Sequence, residues 1–189
     1  MSAFARWTSD FGGHLGFVDL KLISNAQQRR RKYQKRFIEE RFLACENGND
    51  LDPSAHERFS AVLSLDPSDT SGFARSVGDT NPLHHDMDYA AATRFGRLLA
   101  SGPQTTAHLL ALTASHFSKR GAMLGLEFWV QFRRPIYADE TISLEWLVIS
   151  VKKHPRLNGE VIDLRGRIRK ENGETAVGAK GRVLVTPQH

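Results

Sequence analysis

The sequence predicts an α+β fold in which one enclosed helix packs on one curling antiparallel sheet. Three observations carry this. Segment 103–118 is apolar around most of its circumference, through Ala107, Leu109, Leu110, Ala111, Leu112, Ala114 and Phe117, as a helix covered on most sides must be. Four stretches of strand character follow it, at 122–134, 141–152, 160–169 and 175–185. Between them stand Asp139-Glu140, Asn158-Gly159 and Asn172-Gly173, short turn pairs of the kind that join antiparallel neighbours, so this half is expected to run as a meander.

The elements justify themselves in chain order. Residues 59–65 read as a short strand. Asp66-Pro67-Ser68-Asp69 supplies a capping carboxylate and a proline in the first turn, which starts a helix running to about Val77. A loop of turn formers covers 78–85, and Asp86 caps a second helix through Ala90, Ala91 and Ala92 to about Phe95. Alternation is clearest in the third strand of the C-terminal set, where Ile162, Leu164, Gly166 and Ile168 interleave with Asp163, Arg165, Arg167 and Arg169. Neither an internal repeat nor a low-complexity tract interrupts the chain.

The first fifty residues differ in character. Gly12, Gly13 and Gly16 break the opening, six basic side chains fall between Gln27 and Arg36, and Asn47 to Pro53 is polar turn material. Tyr33, Phe37, Ile38 and Phe42 allow 27–45 a basic amphipathic helix. Residues 1–58 are therefore assigned to an N-terminal extension, partly helical or disordered, and residues 59–189 to the folded domain.

At 189 residues, with 40% hydrophobic and 25% charged side chains, the composition is that of a soluble globular protein. The single Cys45 can form no internal disulfide, and no stretch reaches the roughly 18 apolar residues of a membrane helix. A cytoplasmic location is expected, or a mitochondrial matrix one if the basic N-terminus is a targeting segment, against which Glu39 and Glu40 count. The formal charge of +5 divides into 9 basic and 7 acidic residues over 1–52, and 17 and 14 over 53–189. Neither part has the basic excess of a nucleic-acid binder.

One loop carries chemistry. Gly78-Asp79-Thr80-Asn81-Pro82-Leu83-His84 has the composition of a tight turn, but turn chemistry gives no role to a histidine. A carboxylate and an imidazole five positions apart, with Pro82 stiffening the link, can hold one water between them, activate it and shuttle its proton. Five specified residue types in fixed register arise by chance in a chain this long with a probability of roughly one in ten thousand. Gly102 directly precedes Pro103, a favoured first helical residue, so its N–H sits at a positive helix end where charge on an oxygen is stabilised. No metal site is expected: His84-His85-Asp86 lacks a spaced partner ligand, and no nucleophile elbow occurs. His108 and His116 are expected to be core or interface histidines.

These residues, followed by Asp86, Tyr89-Ala90, Phe95-Gly96, Gly102, Phe132-Arg133-Arg134-Pro135 and Asp139-Glu140-Thr141, resemble the hydratase-2 signature of MaoC-like (R)-specific enoyl-CoA hydratases. The resemblance covers roughly Phe59 to Val185. It implies a hot-dog fold, a sheet wrapped around the long helix, in a homodimer whose sheets run together. It also implies that Asp79 and His84 hold the catalytic water, that Asn81 orders the loop, and that Gly102 N–H binds the thioester oxygen. Ser101 stands where the family commonly has histidine, and Pro103 removes the N–H next to that of Gly102. The reaction implied is hydration of a trans-2-enoyl thioester to a 3-hydroxyacyl thioester of (R) configuration, or the reverse, without metal or redox cofactor. The carrier would be coenzyme A or an acyl-carrier protein, with Arg133, Arg134, Lys119 or Arg120 facing its phosphates. A hot-dog thioesterase and a non-catalytic acyl-thioester-binding module are the alternatives.

Overall fold

The computed structural model describes residues 53–187. The expected basic helix at 27–45, and the other expectations for residues 1–52, lie outside the described residues. Strand β1 (Arg58–Ser64) leads through Asp66 into helix α1 (Pro67–Ser76), followed by a 3-10 turn at Pro82–His84 and helix α2 (Met87–Ala92). Helix α3 (Gly102–Phe117) precedes strands β2 (Ala122–Phe132), β3 (Thr141–His154), β4 (Gly159–Lys170) and β5 (Thr175–Thr186). All five strands form one antiparallel sheet in the order β1-β3-β4-β5-β2.

This order corrects the expected meander. Consecutive hairpins join β3, β4 and β5, but β2 pairs with β5, on the far side of the sheet from β3. Asp139-Glu140 is therefore not a hairpin turn. The segment leaving β2 holds Pro135, which has no N–H to continue a ladder. It pairs instead with the strand-like stretch before α3: Ala100 N–H donates to Ile136 C=O at 2.9 Å and Ala138 N–H to Leu98 C=O at 3.0 Å. Tyr137 lies there with the Arg97 guanidinium 4.0 Å and Lys170 Nζ 5.2 Å from its ring centre. Arg97 and Lys170 are held in turn by Asp139 and Glu140.

The two Asn-Gly pairs do mark turns, by different means. Asn158 takes the left-handed conformation after a short 3-10 turn at Pro155–Leu157, so the β3–β4 connection is longer than the pair alone. Gly173, at φ +83°, closes a three-residue loop between Lys170 and Glu174.

Helix α3 lies across the inner face of the sheet. Leu109, Leu112 and Phe117 pack against Phe59, Ile142, Trp146, Val148 and their neighbours, and Trp146 Nε1–H donates to Leu109 C=O at 2.8 Å. Gly166 makes this close approach possible, since a Cβ there would stand 2.6 Å from the Trp146 ring. The helix is less enclosed than its composition implies: it buries one stripe, and Ala107, Ala111 and Ala114 are exposed. A sheet wrapped on a long helix is the hot-dog arrangement. None of the described helices is long and apolar enough to cross a membrane.

Candidate active site

The loop after α1 is positioned by the way that helix ends. Gly78, at φ +75°, follows the C-cap Val77. Its N–H donates to Arg75 C=O at 3.1 Å and that of Asp79 to Ala74 C=O at 2.9 Å. This is the double hydrogen bond of a Schellman closure, which needs a left-handed residue where glycine stands. The closure aims Asp79 away from the helix.

Asp79 Oδ1 then accepts the N–H of Asn81 at 3.0 Å, and Asn81 Oδ1 accepts that of Leu83 at 3.1 Å, capping the 3-10 turn. One carboxylate oxygen is thus committed to the loop. The other, Oδ2, stands 3.6 Å from His84 Nε2, with the two side chains 23% and 10% exposed. The gap exceeds a hydrogen bond.

His84 is fixed from behind. Its Nδ1–H donates to Leu99 C=O at 2.8 Å, while Leu83 C=O accepts the Leu99 N–H at 3.0 Å. A carbonyl can only accept, so the proton of the neutral ring belongs on Nδ1 and the Nε2 lone pair faces Asp79. Sequence reasoning paired Asp79 with His84 but had no means of finding Leu99, whose contribution is a backbone carbonyl fifteen positions away.

His85 is a second residue it missed. Dismissed as a metal ligand, it donates from Nε2–H to the Asp79 backbone carbonyl at 2.6 Å, while its Nδ1 accepts from Ser71 Oγ at 3.2 Å. It ties the loop of Asp79 and His84 to α1. Two adjacent histidines were the available signal, and their opposite orientations could not be read from it.

Ser101 is fully buried and caps α3, its Oγ accepting Gln104 N–H at 3.3 Å. Gly102 is the first residue of that helix, so its N–H has no intrahelical carbonyl to meet. A Cβ at Gly102 would stand 3.0 Å from the Phe132 ring. Gly102, Leu99, Thr105, Phe132 and Arg133 line a cleft of about 340 Å³. Leu99 is thus shared: its carbonyl orients His84, and it borders the cleft at Gly102. Asp79 and His84 are not themselves part of that lining.

The outlying cations divide. Arg133 and Arg134 both border the cleft, and Arg134 reaches Glu174 at 4.0 Å. Arg120 is bound by Glu57, at 2.8 Å for its Nη1, and Lys119 lies with it on a separate cleft.

A model of the MaoC like domain matches residues 50–163. The fold is similar to that of the unliganded R-hydratase PhaJ1 from Pseudomonas aeruginosa, at a TM-score of 0.64 and 24% identity over 72% of this chain and 84% of that one. It is also similar to the (R)-hydratase from A. caviae involved in PHA biosynthesis, at a TM-score of 0.65 and 20% identity over 72% and 98%. Among sequences, a 3-hydroxybutyryl-CoA dehydratase from Methylorubrum extorquens is 30% identical over 81 residues, 43% of this chain and 51% of that protein. The match therefore spans about half the length of that relative.

Proposed function

Since this chain belongs to the MaoC-like domain family, and its fold is similar to those of two R-hydratases, we propose that it adds water to a trans-2-enoyl thioester to give an (R)-3-hydroxyacyl thioester, or catalyses the reverse. The observation that carries the proposal is the Asp79 and His84 pair: with Nδ1 committed to the Leu99 carbonyl, the other ring nitrogen faces a carboxylate oxygen across 3.6 Å. Both atoms accept hydrogen bonds, so a water placed beside them donates one O–H to each and turns its own lone pair outward. That lone pair attacks C3, the π electrons move toward the thioester carbonyl, and the proton taken by the pair returns to C2. Water is consumed whole, its hydroxyl on C3 and its hydrogen on C2.

The enolate oxygen formed on the way needs a donor. Gly102 N–H, at the positive end of a sixteen-residue helix, would supply it, a contribution worth about 3 kcal/mol in comparable oxyanion sites. Base and oxyanion donor both come from the chain, so the proposed reaction calls for no cofactor. The acyl carrier would be coenzyme A or an acyl-carrier protein, and Arg133, which borders the cleft, would meet its phosphate.

The working form is a homodimer. β2 is an edge strand of eleven residues, and it exposes Leu124, Leu126 and Phe132. An edge this long and apolar invites pairing with another strand, and a second copy of β2 would continue the sheet. Sedimentation of the full chain should give twice the chain mass. A monomer at micromolar concentration would exclude this arrangement.

The reaction is tested by loss of the conjugated enoyl absorbance from a panel of enoyl-CoA chain lengths, with free thiol measured alongside. Asp79→Asn and His84→Ala should each lower kcat by roughly 10²- to 10⁴-fold. Unchanged turnover in both variants would overturn the mechanism, and thiol release without hydration would point to a thioesterase.

A further inference from the structure

The outer face of the sheet, away from α3, carries an uneven set of charges. Arg58, Leu147, Arg165, Lys180 and Trp129 stand opposite one another in a single row across all five strands. Three acids share this face and each is already engaged. Glu145 binds Arg167 and Arg169, while Asp163 and Glu127 bind Arg182. Among the described residues no carboxylate pairs with Arg58, Arg133, Arg165 or Lys180, and all four are exposed. These cations border a cleft of about 720 Å³ whose wall includes the half-exposed Trp129. Lys180 Nζ lies 5.6 Å from the centre of the indole.

Arg133 connects this cleft to the one at Gly102, because it lines both. Its guanidinium lies over Gly178, where a Cβ would come within 3.0 Å of Nη2. The backbone there is low enough for the side chain to reach from the end of β2 onto the outer face. Arg165 and Lys180 sit on neighbouring strands about 5 Å apart. Arg133 over Gly178 lies one residue pair further along β5.

We propose that this outer cleft binds the nucleotide end of coenzyme A, with Arg133, Arg165 and Lys180 on its phosphates and Trp129 against the adenine. The inference rests on the reading that the thioester sits at Gly102, and it adds where the other end of the carrier goes. The cleft has the volume of a small-ligand pocket. Clustered guanidinium and ammonium groups match a diphosphate and a phosphate monoester, and an exposed indole offers a purine a stacking face. An acidic protein docked on the row would use the cations but has no need of the indole or of a concave wall.

The test uses the full chain and the double variant Arg165→Ala/Lys180→Ala, with Trp129→Ala as an independent second. Calorimetric titration with adenosine 3′,5′-bisphosphate, and separately with coenzyme A, should show binding to the parent weakened about tenfold or more in the double variant. The ratio of kcat/KM for an enoyl-CoA to that for the same enoyl-pantetheine should fall by a similar factor. Binding of both nucleotides at parental strength would overturn the assignment. So would a loss confined to the thioester of an acyl-carrier protein. If no enoyl thioester is turned over at all, the proposed reaction falls, and the bisphosphate titration still decides the cleft on its own.

Discussion

The two ring nitrogens of His84 have different neighbours. Nδ1 is held by a main-chain carbonyl that no side-chain substitution removes, and Nε2 is turned to Asp79. Asp79 is held more precariously, by its own Asx turn and by the His85 hydrogen bond to its carbonyl. If Asp79 acts as proposed, His85 positions it, and any effect of His85 passes through Asp79. His85→Ala should lower kcat by about tenfold with KM little altered, because a small misplacement of a base costs more at the transition state than in binding. His85→Gln, whose amide can still donate to the Asp79 carbonyl, should recover part of the loss. Steady-state kinetics on the two variants checks this, and a rise in KM alone would contradict it. His84 was legible in the sequence because turn chemistry leaves a histidine unexplained. His85 was not, since Ser71, its second partner, comes fourteen positions earlier on another element.

Two glycines set the geometry of whole elements. Gly78 ends α1 with a left-handed residue, so Gly78→Ala should cost about 1 kcal/mol through the strained φ alone. It should also reduce activity, since Asp79 hangs from that closure. Gly166 lets β4 pass beneath the Trp146 ring, which cannot retreat without breaking its hydrogen bond to Leu109. Gly166→Ala should therefore destabilise the domain by about 2–3 kcal/mol, seen as a lower denaturant midpoint with an unchanged m-value. A midpoint equal to the parent's would mean that the indole has room to move. The strands and helices were legible from alternation, caps and turn pairs. The pairing of β2 with β5 was not, because a turn-like pair such as Asp139-Glu140 records that the chain bends and not which strand it then meets.

At the scale of the molecule, one ionic cluster joins the chain entering the domain to the far end of α3. Glu57 accepts from His116 at 2.7 Å and from Arg120 at 2.8 Å, and the His116 ring stacks on Phe59 at 3.8 Å. Burial works to raise the Glu57 pKa, but the hydrogen bonds and the charges of Arg120 and His116 together hold the carboxyl below its ordinary 4.5. Burial, together with the nearby positive charges of Arg120 and Lys119, holds His116 below its ordinary 6.5, although the Glu57 carboxylate works to raise it. Both folded values lie below the unfolded ones, so the unfolded chain takes up protons first on acidification. Stability from the pair is therefore full above the ordinary values and drains as pH falls, from 6.5 downward for His116 and from 4.5 downward for Glu57. Thermal unfolding should show a Tm that declines over those windows, and His116→Gln should flatten the upper one. A variant with the parental pH slope just below 6.5 would show that His116 takes no part. The sequence located His116 on the buried helix, but Glu57 is 59 positions away and lies before the first strand.

The sequence by itself determined the α+β class, the long helix, the strand positions and the loop in which a carboxylate and an imidazole stand five residues apart. Those features follow from periodicity, caps and short-range spacing, which act between neighbours in the chain. Only the tertiary structure decided that β2 closes against β5, that Leu99 fixes the His84 tautomer, and that Arg133 spans two clefts. Each of these depends on groups brought together from distant positions, several through the backbone, and the identity of a residue says nothing about where its carbonyl will meet another chain segment.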